Sequence, residues 1–210
     1  MNKELLQQLR ELGVATVYEA SGREGLIDIP LISVIPGSKV AGPARTVRCG
    51  QGDNLMVHAV MERIQPGDVL VLTMPEPEPV ALIGELLVTQ AQVRGAAAIL
   101  VDAAVRDVED LRAMGLPIWT RYVRVRGATK EKVGAIDVPV EVGGATIHPG
   151  DIVVLDDDGA VVVAAAKAEA VLQAALARRD RENQLRQKLQ QGQLSYDLHG
   201  LRRLVEGQQA

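Results

Sequence analysis

Two short, uninterrupted apolar runs, residues 69–72 and 96–101, are separated by a segment of helical spacing, 80–94, and followed by another, 108–114. Apolar runs of that length suit strands buried on both faces and are too short for core helices. Strand–helix–strand–helix order brings its strands side by side in parallel, so this region predicts a parallel α/β layer. The second half reads differently. Short strands at 138–142, 145–147, 152–155 and 160–163 are joined by tight turns at Pro149-Gly150-Asp151 and Asp157-Asp158-Gly159. Short connections of that kind predict antiparallel pairing. The fold class is therefore α/β with mixed sheets.

The N-terminal half adds three elements. Leu5, Leu6, Leu9 and Leu12 form one stripe of a helix that Gly13 ends, and 14–20 reads as a second short helix. Residues 40–49 read as a strand, and Pro43 within it points to a sheet edge or a bulge. Residues 54–64 have helical spacing, 76–79 read as a loop and 118–125 as extended chain. At the other end, 167–191 predict one long helix followed by a polar tail. Val171, Ala174 and Ala175 can pack, but 178–184 hold no strong apolar residue. A helix polar all round leaves the body of its domain or crosses to a neighbour, which points to self-association. The chain divides into an α/β domain, 1–166, and a C-terminal helical arm, 167–210, expected to pack on a neighbouring subunit.

Composition narrows the function. Phe is absent and the other aromatics number four, Tyr18, Trp119, Tyr122 and Tyr196, so the core is aliphatic and no stacking platform for single strands exists. With 23 basic against 27 acidic residues the net charge is −4, which argues against a duplex-binding surface. No run approaches a membrane span, and no signal-peptide core follows Met1, so a soluble, cytoplasmic protein is expected. The single Cys49 reads as a small strand residue and not as a nucleophile. His58, His148 and His199 form no His-x-x-x-His pair, and a His-based metal site is not expected. Glycine-rich nucleotide loops and a Gly-x-Ser-x-Gly elbow are missing.

The stretch 102–107, Asp-Ala-Ala-Val-Arg-Asp, follows a buried strand and opens a helix. Ligands of α/β sheets bind at such carboxyl ends, and helix-start amides beside an Arg suit a small carboxylate. The plainer reading is that Asp107 only caps the helix beginning at Val108. Glu85 opens the preceding helix after Leu82-Ile83-Gly84. If strands 69–72 and 96–101 are neighbours, the two helix starts face one cleft, and Glu85 and Asp107 offer it two carboxylates. Hard oxygen donors of that kind suit Mg²⁺ or Mn²⁺. Taken singly, Glu85 is an ordinary first-turn acid, Lys130 a solvated loop charge, and Glu19 and Glu182 exposed helix charges.

The spacing of Glu85, twenty residues, then Arg106-Asp107 resembles the acidic-x20-Arg-Asp signature of the class II pyruvate aldolases, which cleave 4-hydroxy-4-methyl-2-oxoglutarate and 4-carboxy-4-hydroxy-2-oxoadipate. These share a fold with the ribonuclease E regulator A (RraA-like) family. The likeness runs through 15–20, Ala-Thr-Val-Tyr-Glu-Ala, then Gly52-Asp53-Asn54-Leu55, Pro66-Gly67-Asp68, Gly84-Glu85-Leu86-Leu87, Pro149-Gly150-Asp151 and Asp157-Asp158-Gly159. The long C-terminal helix matches the aldolase branch. The resemblance implies a three-layer β/β/α swivelling-domain-like fold, and trimers or hexamers with active sites between subunits. It implies a carbon–carbon lyase releasing pyruvate through an enolate, with oxaloacetate decarboxylation as side activity. By position, Asp107 would ligate Mg²⁺ or Mn²⁺ and Glu85 would hold metal-bound water. Arg106 would bind the pyruvyl oxygens, and the amides of Gly84, Glu85, Leu86 and Leu87 would cradle the carboxylate. Lys130 would meet the far carboxylate, and Glu19 and Glu182 would come from a neighbouring subunit. Two departures stand out: those aldolases carry Asp where this chain has Glu85, and Asp-Gly where it has Asp102-Ala103. The alternative within the family is a metal-free protein that binds and regulates an RNA-processing ribonuclease. A menaquinone methyltransferase, a label also given to such sequences, would need a glycine-rich loop after the first strand, and none is present.

Overall fold

The computed structural model describes residues 2–207. Helix α1 (Lys3–Ala20) is two helices joined at a kink, where Gly13 takes φ 80°, ψ 167°. Asp156 turns that kink into a second helix start. Its Oδ2 accepts the Val14 N–H at 2.9 Å, and a side chain on Gly13 would press on the same oxygen. The expected break at Gly13 is therefore present, held by a carboxylate far along the chain.

Nine strands form one mixed sheet. After the short β1 (Ile32–Ser33), strand β2 (Val40–Arg48) leads through α2 (Leu55–Val60) to β3 (Val69–Thr73). Then come β4 (Ala81–Ile83), α3 (Glu85–Val93), β5 (Ala98–Val105), α4 (Val108–Met114) and β6 (Ile118–Val123). Strands β2, β3, β5 and β6 are neighbours in that order and parallel throughout, as the apolar runs predict. The chain continues through β7 (Ala135–Ile136) and the hairpin β8 (Val140–Val142)–β9 (Ala145–Ile147). The antiparallel pair β10 (Ile152–Asp156)–β11 (Gly159–Val163) then joins the sheet along β2.

Alternation decides the layers. On one sheet face Leu70, Leu72, Ile99, Val101 and their neighbours pack under α2, α3 and α4. On the other, Val71, Leu100, Trp119, Val153 and Leu155 meet the β8–β9 hairpin. The opposite face of β10–β11, with Val154 and Val161, packs on α1 and on the start of the long helix α5 (Ala168–Gln190). The result is a mixed α/β fold with a nearly closed mixed sheet and a long C-terminal helix. Two short helices, α6 (Ser195–Leu198) and α7 (Arg202–Glu206), follow in the tail. No helix among the described residues is long and apolar enough to cross a membrane.

Three expectations are corrected. Pro43 lies neither at an edge nor at a bulge, because β2 is interior. It is tolerated because antiparallel pairing with β10 stops at Pro43 and parallel pairing with β3 starts at Ala44, so no ladder bond needs its missing N–H. The segment 80–94 is not helical throughout, since Ala81–Ile83 is buried and pairs with the end of β5 before α3 begins. Strand β5 runs four residues beyond the expected 101, so of 102–107 only Arg106 and Asp107 remain in the turn.

Candidate active site

Lengthening β5 by one turn of alternation has a chemical consequence. It carries Arg106 and Asp107 past the sheet edge to the start of α3. The Arg106 N–H donates to Ile83 O at 3.2 Å, the Ala104 N–H to Val80 O at 3.0 Å, and the Ala81 N–H to Arg126 O at 2.7 Å. Strand β4 thus locks the end of β5 to the segment after β6, and a cleft of about 180 Å³ opens beside this junction. Asp107, Arg106, Leu86 and Leu87 line it together with Asn54, His58 and Lys130.

Asp107 holds a left-handed backbone, φ 60°, ψ 39°, a region a non-glycine residue rarely enters. Its side chain makes no cap to its own helix α4. Instead Oδ2 accepts the Glu85 N–H at 3.1 Å and lies 3.6 Å from Arg106 Nε. The plain capping reading of Asp107 is therefore overturned: the carboxylate serves the neighbouring helix start. The first bond inside α3 runs from Val88 N–H to Gly84 O, so the amides of Glu85, Leu86 and Leu87 precede the helical ladder; Asp107 takes the first, and those of Leu86 and Leu87 can meet an anion. Gly84 makes the approach possible, since a methyl at that position would collide with Asp107 Oδ2 and crowd Arg106. Gly127 does the same on the other flank, where a Cβ would lie 3.0 Å from an Arg106 guanidinium nitrogen.

The two helix starts do face one cleft, but the Glu85 carboxylate turns along its own helix and accepts from Thr89 Oγ1 at 2.9 Å. It is not among the cleft-lining side chains. Glu19 and Glu182 lie elsewhere. Both surround Arg178, with Glu182 at 2.8 Å and Glu19 at 3.8 Å, on the paired surfaces of α1 and α5. Within one chain the structure brings together Gly84, Leu86, Leu87, Arg106, Asp107 and Lys130, and leaves Glu19 and Glu182 outside.

Lys130 owes its place to Asp53. That residue is fully buried, and its Oδ2 accepts from Thr129 Oγ1 and from the Glu131 N–H, both at 2.6 Å. Its Oδ1 accepts the Leu55 N–H at 2.8 Å at the start of α2. Burial opposes the charge, but these hydrogen bonds prevail and hold the carboxyl down at about 2. On α2, burial and then the Lys130 charge lower the His58 pKa, which favours the neutral imidazole. Burial pushes the Cys49 thiol up to about 12, as an inert strand-end residue requires. Asn54, His58, Gly127 and Ala128 line the cleft without having been expected there. The signal for Asn54 was its place in Gly52-Asp53-Asn54 at a helix start, whereas nothing local marks His58.

The domain model of the Aldolase/RraA proteins matches residues 14–162, spanning every cleft residue described above. The chain belongs to the RraA-like family. A relative from Halalkalibacterium halodurans named "Putative 4-hydroxy-4-methyl-2-oxoglutarate aldolase" is 39% identical over 137 residues. That match spans 65% of this chain and 65% of the relative. Among solved structures, Streptomyces coelicolor RraAS2 is described as an unusual member of the RNase ES inhibitor RraA family. It aligns with TM-score 0.78 at 34% identity, covering 89% of this chain and 97% of its own. A Geobacillus kaustophilus protein described as an S-adenosylmethionine:2-dimethylmenaquinone methyltransferase aligns at TM-score 0.66 and 31% identity, covering 71% and 93%. The RraA-like fold is thus shared by proteins carrying three different functional descriptions, and the site must arbitrate between them.

Proposed function

We propose that this RraA-like protein is a divalent-metal-dependent carbon–carbon lyase. Its reaction is retro-aldol cleavage of 4-hydroxy-4-methyl-2-oxoglutarate or 4-carboxy-4-hydroxy-2-oxoadipate to release pyruvate, with oxaloacetate decarboxylation as side activity. The observation that carries this reading is the Asp107 turn, which sets a carboxylate and the Arg106 guanidinium at the start of α3, beside the amides of Leu86 and Leu87, in a cleft that Lys130 also lines. The donor set fits Mg²⁺ or Mn²⁺. These ions take one or two carboxylates and keep several waters, and Asp107 is the carboxylate that lines the cleft. Asp107 would ligate the ion, and Glu85, after rotating from Thr89, would reach it through water. When bound, the ion supplies Lewis-acid polarisation of the 2-oxo group.

The rest is work for the chain's own residues. The amides of Leu86 and Leu87 hold the carboxylate beside the 2-oxo group. Arg106 faces the 2-oxo oxygen, where negative charge grows as the C3–C4 bond breaks, and so stabilises the enolate. Lys130 pairs with the far carboxylate and fixes the C3–C4 bond relative to Arg106. Removal of the C4 hydroxyl proton starts the cleavage, and protonation of the enolate at C3 ends it. The oxaloacetate reaction passes through the same enolate with carbon dioxide as the leaving group. Glu19 and Glu182, absent from the cleft of their own chain, would enter a neighbour's cleft in a trimer or hexamer, with the arm 167–210 packing across.

The second reading, a ribonuclease-binding regulator, is favoured by the alignment with RraAS2 over almost its whole length. The test is pyruvate release from 4-hydroxy-4-methyl-2-oxoglutarate and from oxaloacetate, with Mg²⁺ and then with chelator. Release from the hydroxy acid that chelation stops supports the lyase. Release from oxaloacetate alone keeps the enolate site and moves the substrate. No release from folded, metal-supplied protein, together with capture of a ribonuclease, supports the regulator.

A further inference from the structure

Asn54 stands in the wall of the cleft with one valence unused. Its side chain is 7% exposed, and its Nδ2 donates to Leu82 O of β4 at 2.9 Å. A carbonyl partner takes only the NH₂ side of the amide, so the orientation is fixed and Oδ1 is the free end. Oδ1 is buried and has no donor, and it is the one buried side-chain polar atom in that condition among the described residues. A buried acceptor without a partner is costly, and its persistence in a binding cleft points to a donor brought by the ligand.

The other cleft groups say what kind of ligand that is. Arg106 and Lys130 are donors and meet carboxylate or carbonyl oxygens. Asp107 is an acceptor already engaged by the Glu85 N–H. Asn54 Oδ1 is the buried acceptor left over, whereas the acceptor nitrogen of the neutral His58 ring belongs to an exposed residue that water can serve. Oxaloacetate in its keto form presents acceptor oxygens alone and leaves Oδ1 unpaired, whereas a 4-hydroxy-2-oxo diacid carries one hydroxyl donor.

We propose that Asn54 is a substrate-binding residue that accepts a hydrogen bond from the C4 hydroxyl and so binds hydroxylated 2-oxo diacids more tightly than their unhydroxylated counterparts. This rests on the lyase reading of the cleft. The contact belongs to the ground state, because the hydroxyl proton must turn toward a base before the C3–C4 bond breaks. It therefore tightens substrate binding, and its loss raises KM and kcat together, leaving kcat/KM nearly unchanged.

Two measurements test it. In Asn54→Leu, which keeps the branched shape but loses the acceptor together with the bond to Leu82 O, KM for 4-hydroxy-4-methyl-2-oxoglutarate is expected to rise about 10- to 100-fold. Its kcat is expected to rise in step, as a ground-state contact requires, and KM for oxaloacetate is expected to rise about tenfold less. Equal rises in KM for both substrates, or none for either, overturn the proposal. Independently, the unaltered protein in chelator is titrated calorimetrically with the hydroxy acid and with 4-methyl-2-oxoglutarate, its deoxy analogue. The hydroxy acid is expected to bind about tenfold more tightly, the scale of one such bond, and equal affinities overturn the proposal even if the variant does not fold. Preferential binding without pyruvate release in Mg²⁺ would retire the lyase reading and leave hydroxyl recognition standing.

Discussion

Asp107 keeps a left-handed backbone although any residue with a Cβ meets strain there, a cost of roughly 1–3 kcal/mol that surrounding structure must offset. What holds it is the bond from the Glu85 amide and the proximity of Arg106. Asp107→Ala is expected to abolish pyruvate release while circular dichroism stays that of the folded protein; full activity in that variant would remove Asp107 from the chemistry. Arg106→Ala, which deletes the cationic partner of the developing enolate oxygen, is expected to lower kcat by about 10²- to 10³-fold. Asp53 is a separate matter of stability. Its carboxyl titrates at about 2 in the folded chain and near 3.9 when unfolded. Because the folded value is the lower, its contribution is fully present above about pH 4 and is lost as the pH falls toward 2. Asp53→Asn is expected to cost on the order of 2–3 kcal/mol at neutral pH and to flatten the acid limb of the stability curve. Urea unfolding of both proteins from pH 7 to pH 2 measures this, and parallel curves would contradict it.

At the scale of elements, the site is a junction of β4, β5 and α3. Its tightest point is Gly84, where Asp107 Oδ2 and Arg106 occupy the space of a side chain. Gly84→Ala is expected to displace Asp107 and reduce activity more than it reduces thermal stability. The comparison is kcat/KM against Tm, and a proportionate loss of both would make Gly84 merely structural. Helix α5 divides into two stretches. Val171, Leu172 and Ala175 are buried in the core shared with α1, whereas beyond Arg178 the helix is mainly exposed. Ending the chain after Arg181 is therefore expected to leave the fold intact and to lower the mass seen by light scattering. An unchanged mass would show that the arm does not hold subunits together.

For the molecule as a whole, apolar side chains stand out on the surface, Leu86 of the cleft lining among them. Leu86, Val125 and Val133 are each at least 80% exposed. Such exposed side chains would, on the proposed reading, lie against a second copy. On the proposed reading, that copy also delivers Glu19 and Glu182, which their own chain holds around Arg178. Glu182→Ala is then expected to lower turnover without altering the Asp107 turn. Mixing it with an Asp107→Ala protein under subunit exchange should restore part of the activity if sites form between chains, and no restoration would confine each site to one chain.

The parallel run of strands, the helix break at Gly13, the antiparallel β10–β11 pair and the long last helix were legible because each follows from local pattern: apolar runs, a glycine, short turns, a sustained helical stretch. The acidic-x20-Arg-Asp spacing likewise marked Asp107 and Arg106 before any geometry was known. What local pattern does not carry is partnership. Pro43 sits inside the sheet because β10 and β3 divide β2 between them, residues 81–83 become a strand because β5 offers them an edge, and Asp107 caps a helix other than its own. Asn54 and His58 reach the cleft only because Asp53 ties the start of α2 to the Lys130 segment, 76 residues from Asp53 at Thr129. Hydrogen bonds across such distances are satisfied or orphaned only once the whole chain has closed. The sequence therefore set the elements and singled out Arg106 and Asp107, and the tertiary structure alone decided which residues share a cleft with that pair and which buried acceptor stays unpaired.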